Sequence, residues 1–358
     1  MENAGINYAP KEKPKPAVKP GEFVFSAVGL DHGHIYGMSG GLLEAGATLK
    51  WVYDPDPEKS AKFAETFKES GVRIASSEEE VFQDKEVSLI AGACVTSQRA
   101  ALGIRAINAG KDFFVDKAPF TTLGQLADIK EAIQRTGKKY FVCYSERLQS
   151  EAAIYAGQLI EAGVIGKVVQ TLGMGPHRLN APYRPDWFFI KEFYGGALCD
   201  IGSHQIEQFM FYTGNEDATI VNSQFGNFCH PQYPELDDFA DANLVGANGA
   251  TGYFRVDWLT PQGLNGWGDG RTFILGTDGY IECRKGLDVA KNSLGEHVFF
   301  ADKVGEHYFE ATGKVGFPFF GEFILDCINR TEYAMTQEHA LKAAELSVKA
   351  QMLARKVK

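Results

Sequence analysis

Long apolar runs, clustered cysteines and excess basic charge are all scarce in this 358-residue chain, and each scarcity narrows what the chain can be. No apolar stretch is long enough to span a bilayer. The leading segment MENAGINYAPKEKPKPAVKPGE has neither the apolar core nor the cleavage-like end of a secretory signal, so no membrane partner is expected. The six cysteines, Cys94, Cys143, Cys199, Cys229, Cys283 and Cys327, are scattered singly, without the CxxC spacing of a zinc or redox site. That usage predicts a reducing, cytoplasmic location. Lys and Arg number 36 against 46 Asp and Glu, a net charge of -10. Nucleic-acid readers present basic patches to phosphate, so no nucleic-acid partner is expected. With 44% hydrophobic and 23% charged residues the composition is that of an ordinary globular protein, and the length predicts two domains.

Residues 1–20 alternate Lys with Pro and cannot bury apolar surface, which predicts a flexible N-terminal arm, or one that wraps a neighbouring subunit or lies near the cofactor. From Phe23 the pattern changes. FVFSAVG is a short apolar run closed by Gly29, and LKWVYD, VSLIAGA, the stretch 112–115 and the stretch 140–144 read as further buried strands. Helical patterns over 57–67, 99–109 and 123–135 lie between them. Strands alternating with helices imply a doubly wound parallel sheet, a Rossmann domain over residues 21–148. After Ser150 a helix (152–161) gives way to a succession of strand-like segments, KVVQTLGM, TIVNSQFG, DFADANLVG, TGYFRVDWL, RTFILGT and GYIEC. These predict an α+β domain over 149–335 with an open-faced, mostly antiparallel sheet. The helix expected within 336–358 should pack back near the first domain.

The turn after the first strand reads Gly29-Leu30-Asp31-His32-Gly33-His34. A dinucleotide turn reads GxGxxG, so only the first glycine is in place, and a carboxylate at Asp31 repels phosphate unless it points away. Asp54 ends the second strand about where an acid holds the adenosine ribose and rejects a 2′-phosphate, which favours NAD; it also reads as a turn residue of DPDP. His32 and His34 flank the expected pyrophosphate and read equally as cofactor contacts or as a loop-capping pair. No cysteine or carboxylate cluster accompanies them nearby in sequence, so no metal is expected.

Three stretches resemble the Gfo/Idh/MocA family of glucose–fructose oxidoreductases and inositol dehydrogenases: AGKDFFVDKAPFTT (109–122), YGGALCDIGSHQIEQ (194–208) and TFILGTDGYIE (272–282). The resemblance covers nearly the whole chain from Phe23. The family's Glu-Lys-Pro is Asp116-Lys117-Ala118 here, and its proline–asparagine pair after the fourth strand is replaced by Val95-Thr96-Ser97-Gln98-Arg99. The resemblance implies a sugar, glycoside or cyclitol dehydrogenase, with 3-oxidation of a glycoside as one form. It implies His204 as general base, Asp200 as its partner or a substrate contact, and Lys117 holding the reacting hydroxyl and the nicotinamide ribose. Thr96, Ser97, Arg99 and Asp116 join Gly29, Asp31, His32, His34 and Asp54 as expected cofactor contacts. Asp200 and His204 lie four apart, so a helix starting there presents both on one face.

Aromatic faces stack on sugar C–H surfaces while polar groups read hydroxyls. Tyr144, Glu146, His177, Arg178, Tyr183 and Trp187 are the expected substrate contacts. Asp269 and Arg271 read as a salt-bridged turn. A redox-neutral hydrolase or lyase that recycles NAD in place has the same sequence signature, whereas retention of Lys117, Asp200 and His204 counts against a sensor without chemistry. The open sheet face predicts a homo-oligomer, a dimer, tetramer or larger.

Overall fold

The computed structural model describes residues 8–291 and 293–358. Six strands, β1 (Val24–Val28), β2 (Thr48–Tyr53), β3 (Arg73–Ile74), β4 (Leu89–Gly92), β5 (Asp112–Asp116) and β6 (Tyr140–Cys143), form a sheet in the order β3-β2-β1-β4-β5-β6. Every pairing in it is parallel. β4, β5 and β6 are buried along their whole length, as apolar runs covered on both faces must be. The chain reverses direction of winding between β1 and β4, and the carboxyl ends of such strands open the crevice in which doubly wound folds bind ligands. Local signals set the helix ends: Thr122 and Gln125 form a reciprocal cap on the helix Leu123–Thr136, which Gly137 closes in the left-handed conformation.

The second sheet has nine strands: β7 (Val168–Pro176), β8 (Ala218–Gly226), β9 (Phe239–Gly246), β10 (Thr251–Asp257), β11 (Gly270–Gly276), β12 (Tyr280–Lys285), β15 (His297–Ala301), β16 (Glu306–Glu310) and β17 (Arg355–Lys356). A separate hairpin of β13 (Leu287–Asp288) and β14 (Ser293–Leu294) follows β12. The nine run in the order β16-β15-β12-β11-β7-β10-β9-β8-β17, antiparallel except where β10 meets β7 and β17 meets β8. The helix Gly202–Thr213 lies on one face. Its close approach depends on absent side chains: a Cβ at Gly173 would sit 2.2 Å from Gln205 Oε1, and one at Gly252 2.7 Å from the Phe209 ring. The opposite face leaves Val169, Leu172, Val221, Tyr253, Leu275 and Tyr280 exposed.

Three features depart from the sequence reading. The described part of the arm, 8–20, is packed rather than free. The Tyr8 hydroxyl donates to Asp302 at 2.6 Å and the Tyr8 carbonyl accepts from the Tyr155 hydroxyl at 2.5 Å, while Ala17 N–H donates to the Ala45 carbonyl at 2.8 Å. Prolines hold this stretch extended with little freedom to lose, so a few anchors suffice. The helix Pro318–Asn329, expected in the second domain, packs on the first: Phe323 lies 4.9 Å from both Phe114 and Phe141 between ring centroids. The chain does not end in the helix Gln337–Leu353, because β17 adds an edge strand beside β8. That helix lies between the halves and touches both β6 and β8.

Candidate active site

Gly29 makes the turn that leaves β1. Its φ is +75°, and a Cβ there would meet Cys94 Cβ at 2.7 Å, so conformation and space both require glycine. Asp54, at the end of β2, is buried and accepts from Leu30 N–H at 2.6 Å and Asp56 N–H at 2.9 Å. The carboxylate of Asp31 is neutralised: Lys59 Nζ lies 2.6 Å from one oxygen, and Val95 N–H donates to the other at 3.1 Å. These residues, with Ser97, line a cavity of 520 Å³ at the carboxyl edge of the parallel sheet. The bare glycine turn, the acid after β2 and the cancelled charge at Asp31 fit an NAD adenosine diphosphate.

Beside it Asp116, at the end of β5, is fully buried. Its carboxylate accepts from Arg99 Nη2 at 3.0 Å and meets His34 Nδ1 at 2.8 Å. His32 Nδ1 approaches the same carboxylate at 2.8 Å but out of line for a hydrogen bond. Burial opposes the charge on Asp116, and His34, Arg99 and His32 outweigh it, holding the carboxyl well below its ordinary range. The carboxylate missing near the two histidines in sequence thus arrives from β5. The three ligand groups lie within 4.8 Å of one another, a spacing a cation could bridge, but the Arg99 guanidinium already supplies positive charge to that carboxylate. Arg99 itself corrects the expectation of a cofactor contact. It is 1% exposed and its donors go to Asp116 and to the carbonyls of Cys94, Lys117 and Ala118, so it braces two strand ends from beneath. Thr96 is likewise buried and does not line the cavity.

Lys117 follows Asp116, and the peptide bond after it is cis. Its ammonium donates to Asp200, and both are buried. This corrects the expected partnership of Asp200 with His204: Asp200 ends the short helix Ala197–Asp200, His204 belongs to the next, and Lys117 takes the carboxylate. Burial would raise the Asp200 pKa, but the Lys117 charge and hydrogen bond bring it below the usual value. His204 is 1% exposed and neither ring nitrogen makes a hydrogen bond among the described residues. Burial drives its pKa down to about 3, Glu146 opposing and Lys117 reinforcing the shift. It lies behind the cavity that Lys117 faces, and does not line it.

That cavity, 250 Å³, is bounded by Asp31, His32, His34 and Lys117 on one side and by His177, Tyr183, Arg184, Trp187, Trp258 and Trp267 on the other. The indole N–H groups of Trp187 and Trp258 are buried without acceptors among the described residues. His177 donates from Nδ1–H to the Gly175 carbonyl at 3.1 Å, and burial lowers its pKa to about 4. Glu146 accepts from Gln205 at 2.7 Å and Lys285 at 3.0 Å, while its second oxygen has no hydrogen-bond donor and lies 3.8 Å from His177 Nε2. Two expected substrate contacts are corrected. Tyr144 is fully buried and donates its hydroxyl to the Ala340 carbonyl at 2.7 Å, an anchor for the C-terminal helix. Arg178 donates to the Leu264 and Gly266 carbonyls at 2.6 and 2.8 Å and pins that loop. Asp269 and Arg271 do form the turn ion pair, at 2.6 Å. Trp258 and Lys285, contributed by β10 and β12, carried no local signal; only the sheet order brings them here.

Residues 31–144 match the oxidoreductase family with an NAD-binding Rossmann fold, and residues 154–282 match the GFO/IDH/MocA C-terminal domain. A scyllo-inositol 2-dehydrogenase (NAD(+)) of Bacillus subtilis is 27% identical over 243 residues, 66% of this chain and 66% of that one, so the match spans just under two thirds of that relative's length. A crystal structure from Erwinia carotovora atroseptica, provisionally described as an oxidoreductase, is 48% identical with a TM-score of 0.91, covering 94% of this chain and all of that one. A levoglucosan dehydrogenase in complex with NADH shares the fold at 18% identity and a TM-score of 0.74, covering 92% of this chain and 97% of that one.

Proposed function

Because the chain belongs to the GFO/IDH/MocA oxidoreductase family, we propose that it oxidises a ring secondary alcohol of a sugar, glycoside or cyclitol to a ketone with NAD, 3-oxidation of a glycoside being one form. The observation that carries this reading is the buried Lys117–Asp200 pair opening onto a tryptophan-walled cavity beside the nucleotide crevice. NAD, when bound, takes up the hydride; Gly29, Asp54 and Ser97 would hold it. Lys117 fixes the alcohol oxygen, and Asp200 holds the ammonium in place. The hydroxyl proton is assigned to His204, which is neutral and whose buried Nδ1 has no hydrogen-bond partner among the described residues, and which must come forward from behind the cavity to receive it. Free-state geometry of this kind commonly tightens once substrate is bound. His177 and Glu146 orient the substrate's other hydroxyls, and the tryptophans cover its C–H face.

The exposed strand face with Val221, Tyr253 and Tyr280 supports a homo-oligomer. The cysteines are all free, five of them buried, which suits a cytoplasmic location. Absorbance at 340 nm with NAD and a panel of sugars, cyclitols and glycosides tests the activity. Continuing NADH formation with one class establishes it. A new sugar product without NADH moves the reading to redox-neutral chemistry.

A further inference from the structure

The charged groups around the substrate cavity are paired, with one exception. Asp31 is matched by Lys59, Asp116 by Arg99 and the two histidines, Asp200 by Lys117, and Glu146 by Lys285. Arg184 has no acidic partner among the described residues. Its Nε–H donates to the Leu179 carbonyl at 3.0 Å, and neither terminal nitrogen has an acceptor, Nη2 being wholly buried. The guanidinium is held over three aromatic rings, 4.4 Å from Phe188, 4.9 Å from Trp258 and 5.4 Å from Trp267. Stacking of this kind fixes the plane of an arginine, and with Nε taken by Leu179 and Nη2 sealed, Nη1 is the nitrogen left for a ligand in the cavity. A half-buried cation without a counter-ion is costly, and an unpaired donor beside it adds to that cost. The cost of the unpaired charge falls if a ligand brings one negative charge.

We propose that Arg184 is a substrate-recognition residue and that the alcohol oxidised here is part of an acidic sugar, one whose ring carries a carboxylate. The inference rests on the dehydrogenase reading above. One unbalanced positive charge matches a monoanionic carboxylate better than a dianionic phosphate, and a charge-assisted hydrogen bond from Nη1 can take one carboxylate oxygen. The three tryptophans then enclose the apolar face of the sugar while Arg184 fixes its orientation relative to Lys117.

The test compares matched pairs, methyl glucuronide with methyl glucoside and methyl galacturonide with methyl galactoside, for NADH formation by the wild type, Arg184→Gln and Arg184→Lys. Calorimetric titration of the NADH-loaded protein with glucuronate gives a readout independent of turnover. The expected result is a kcat/KM for an acidic member at least tenfold above its neutral partner. Arg184→Gln should abolish that preference without a matching loss on the neutral sugar, and Arg184→Lys should restore part of it. Equal or greater activity on neutral or phosphorylated sugars overturns the proposal, as does an equal loss on both members of a pair in Arg184→Gln, the mark of a merely structural arginine. If no sugar yields NADH, the dehydrogenase reading fails. Glucuronate binding that Arg184→Gln weakens then still supports carboxylate recognition, and absence of such binding overturns it too.

Discussion

The ammonium of Lys117 donates to the carboxylate of Asp200 across the junction of the two halves, and the two residues are only 3% and 8% exposed. One comes from the end of the parallel sheet and the other from a helix under the open sheet, so the pair reports on how the halves seat together. A buried pair is weak evidence of net stability, yet breaking it is costly because one charge is left stranded.

Asp200→Leu and Lys117→Met should therefore each lower stability by about 3–5 kcal/mol, while the double variant should recover most of that loss. All three should lose NADH formation. Denaturant midpoints and the 340 nm assay check this, and a double variant no more stable than the singles would refute the stranded-charge account.

His204→Ala should reduce turnover by about 10²–10⁴-fold, the usual contribution of a positioned base, while NAD binds with unchanged affinity by calorimetry. Near-normal turnover would remove His204 from the proton path.

Stability should fall as the pH drops below about 6.5, the ordinary imidazole value. In the folded chain burial holds His32 and His177 at about 4 and His204 at about 3, against 6.5 for an ordinary imidazole. Between these values the folded imidazoles stay neutral while the unfolded chain takes up protons. Stability rises with pH wherever the unfolded state binds more protons, so their contribution is complete above about pH 6.5 and is lost as the pH falls towards 4 and then 3. Each such imidazole sets a slope approaching about 1.4 kcal/mol per pH unit. Denaturant midpoints at pH 7.5, 6 and 5 should decline, and less steeply for His177→Gln. A flat profile would contradict the neutral, buried state of these rings.

Lys59→Ala should weaken NAD binding by up to about fivefold, since a partly exposed pair is worth about 1 kcal/mol. It removes the cation that cancels Asp31. Adding Asp31→Asn should restore the affinity. Calorimetric titration of the single and double variants decides the matter, and additive losses would mean that Lys59 does not act through Asp31.

The first domain was legible because its signals are local: apolar runs with helical stretches between them place β1, β2, β4, β5 and β6 within a residue or two. Lys117 and Asp200 stood out through the family resemblance, but their pairing did not, since 83 positions separate them. Tyr144 and Arg178 misled because residue type cannot tell a ligand contact from a structural brace; the acceptors that claim them, the carbonyls of Ala340 and of the 264–266 loop, come from distant chain. Asp31 looked hostile to phosphate because its neutralising lysine sits a helix away. Of the second sheet, β15 and β16 were not foreseen, and neither was the two-residue β17, too short to register as any period. Trp258 reaches the cavity only because β10 runs parallel beside β7, a choice of neighbours that no stretch of sequence announces.

The helix Pro318–Asn329 leaves the open-sheet half and inserts its phenylalanines against Phe114 and Phe141. The nucleotide-binding half is therefore not a detachable cassette. A fragment ending near residue 150 would leave that aromatic surface bare to water and prone to self-association. A chimaera that exchanges the second half must carry a compatible replacement for this helix, so the two halves are bound to change together.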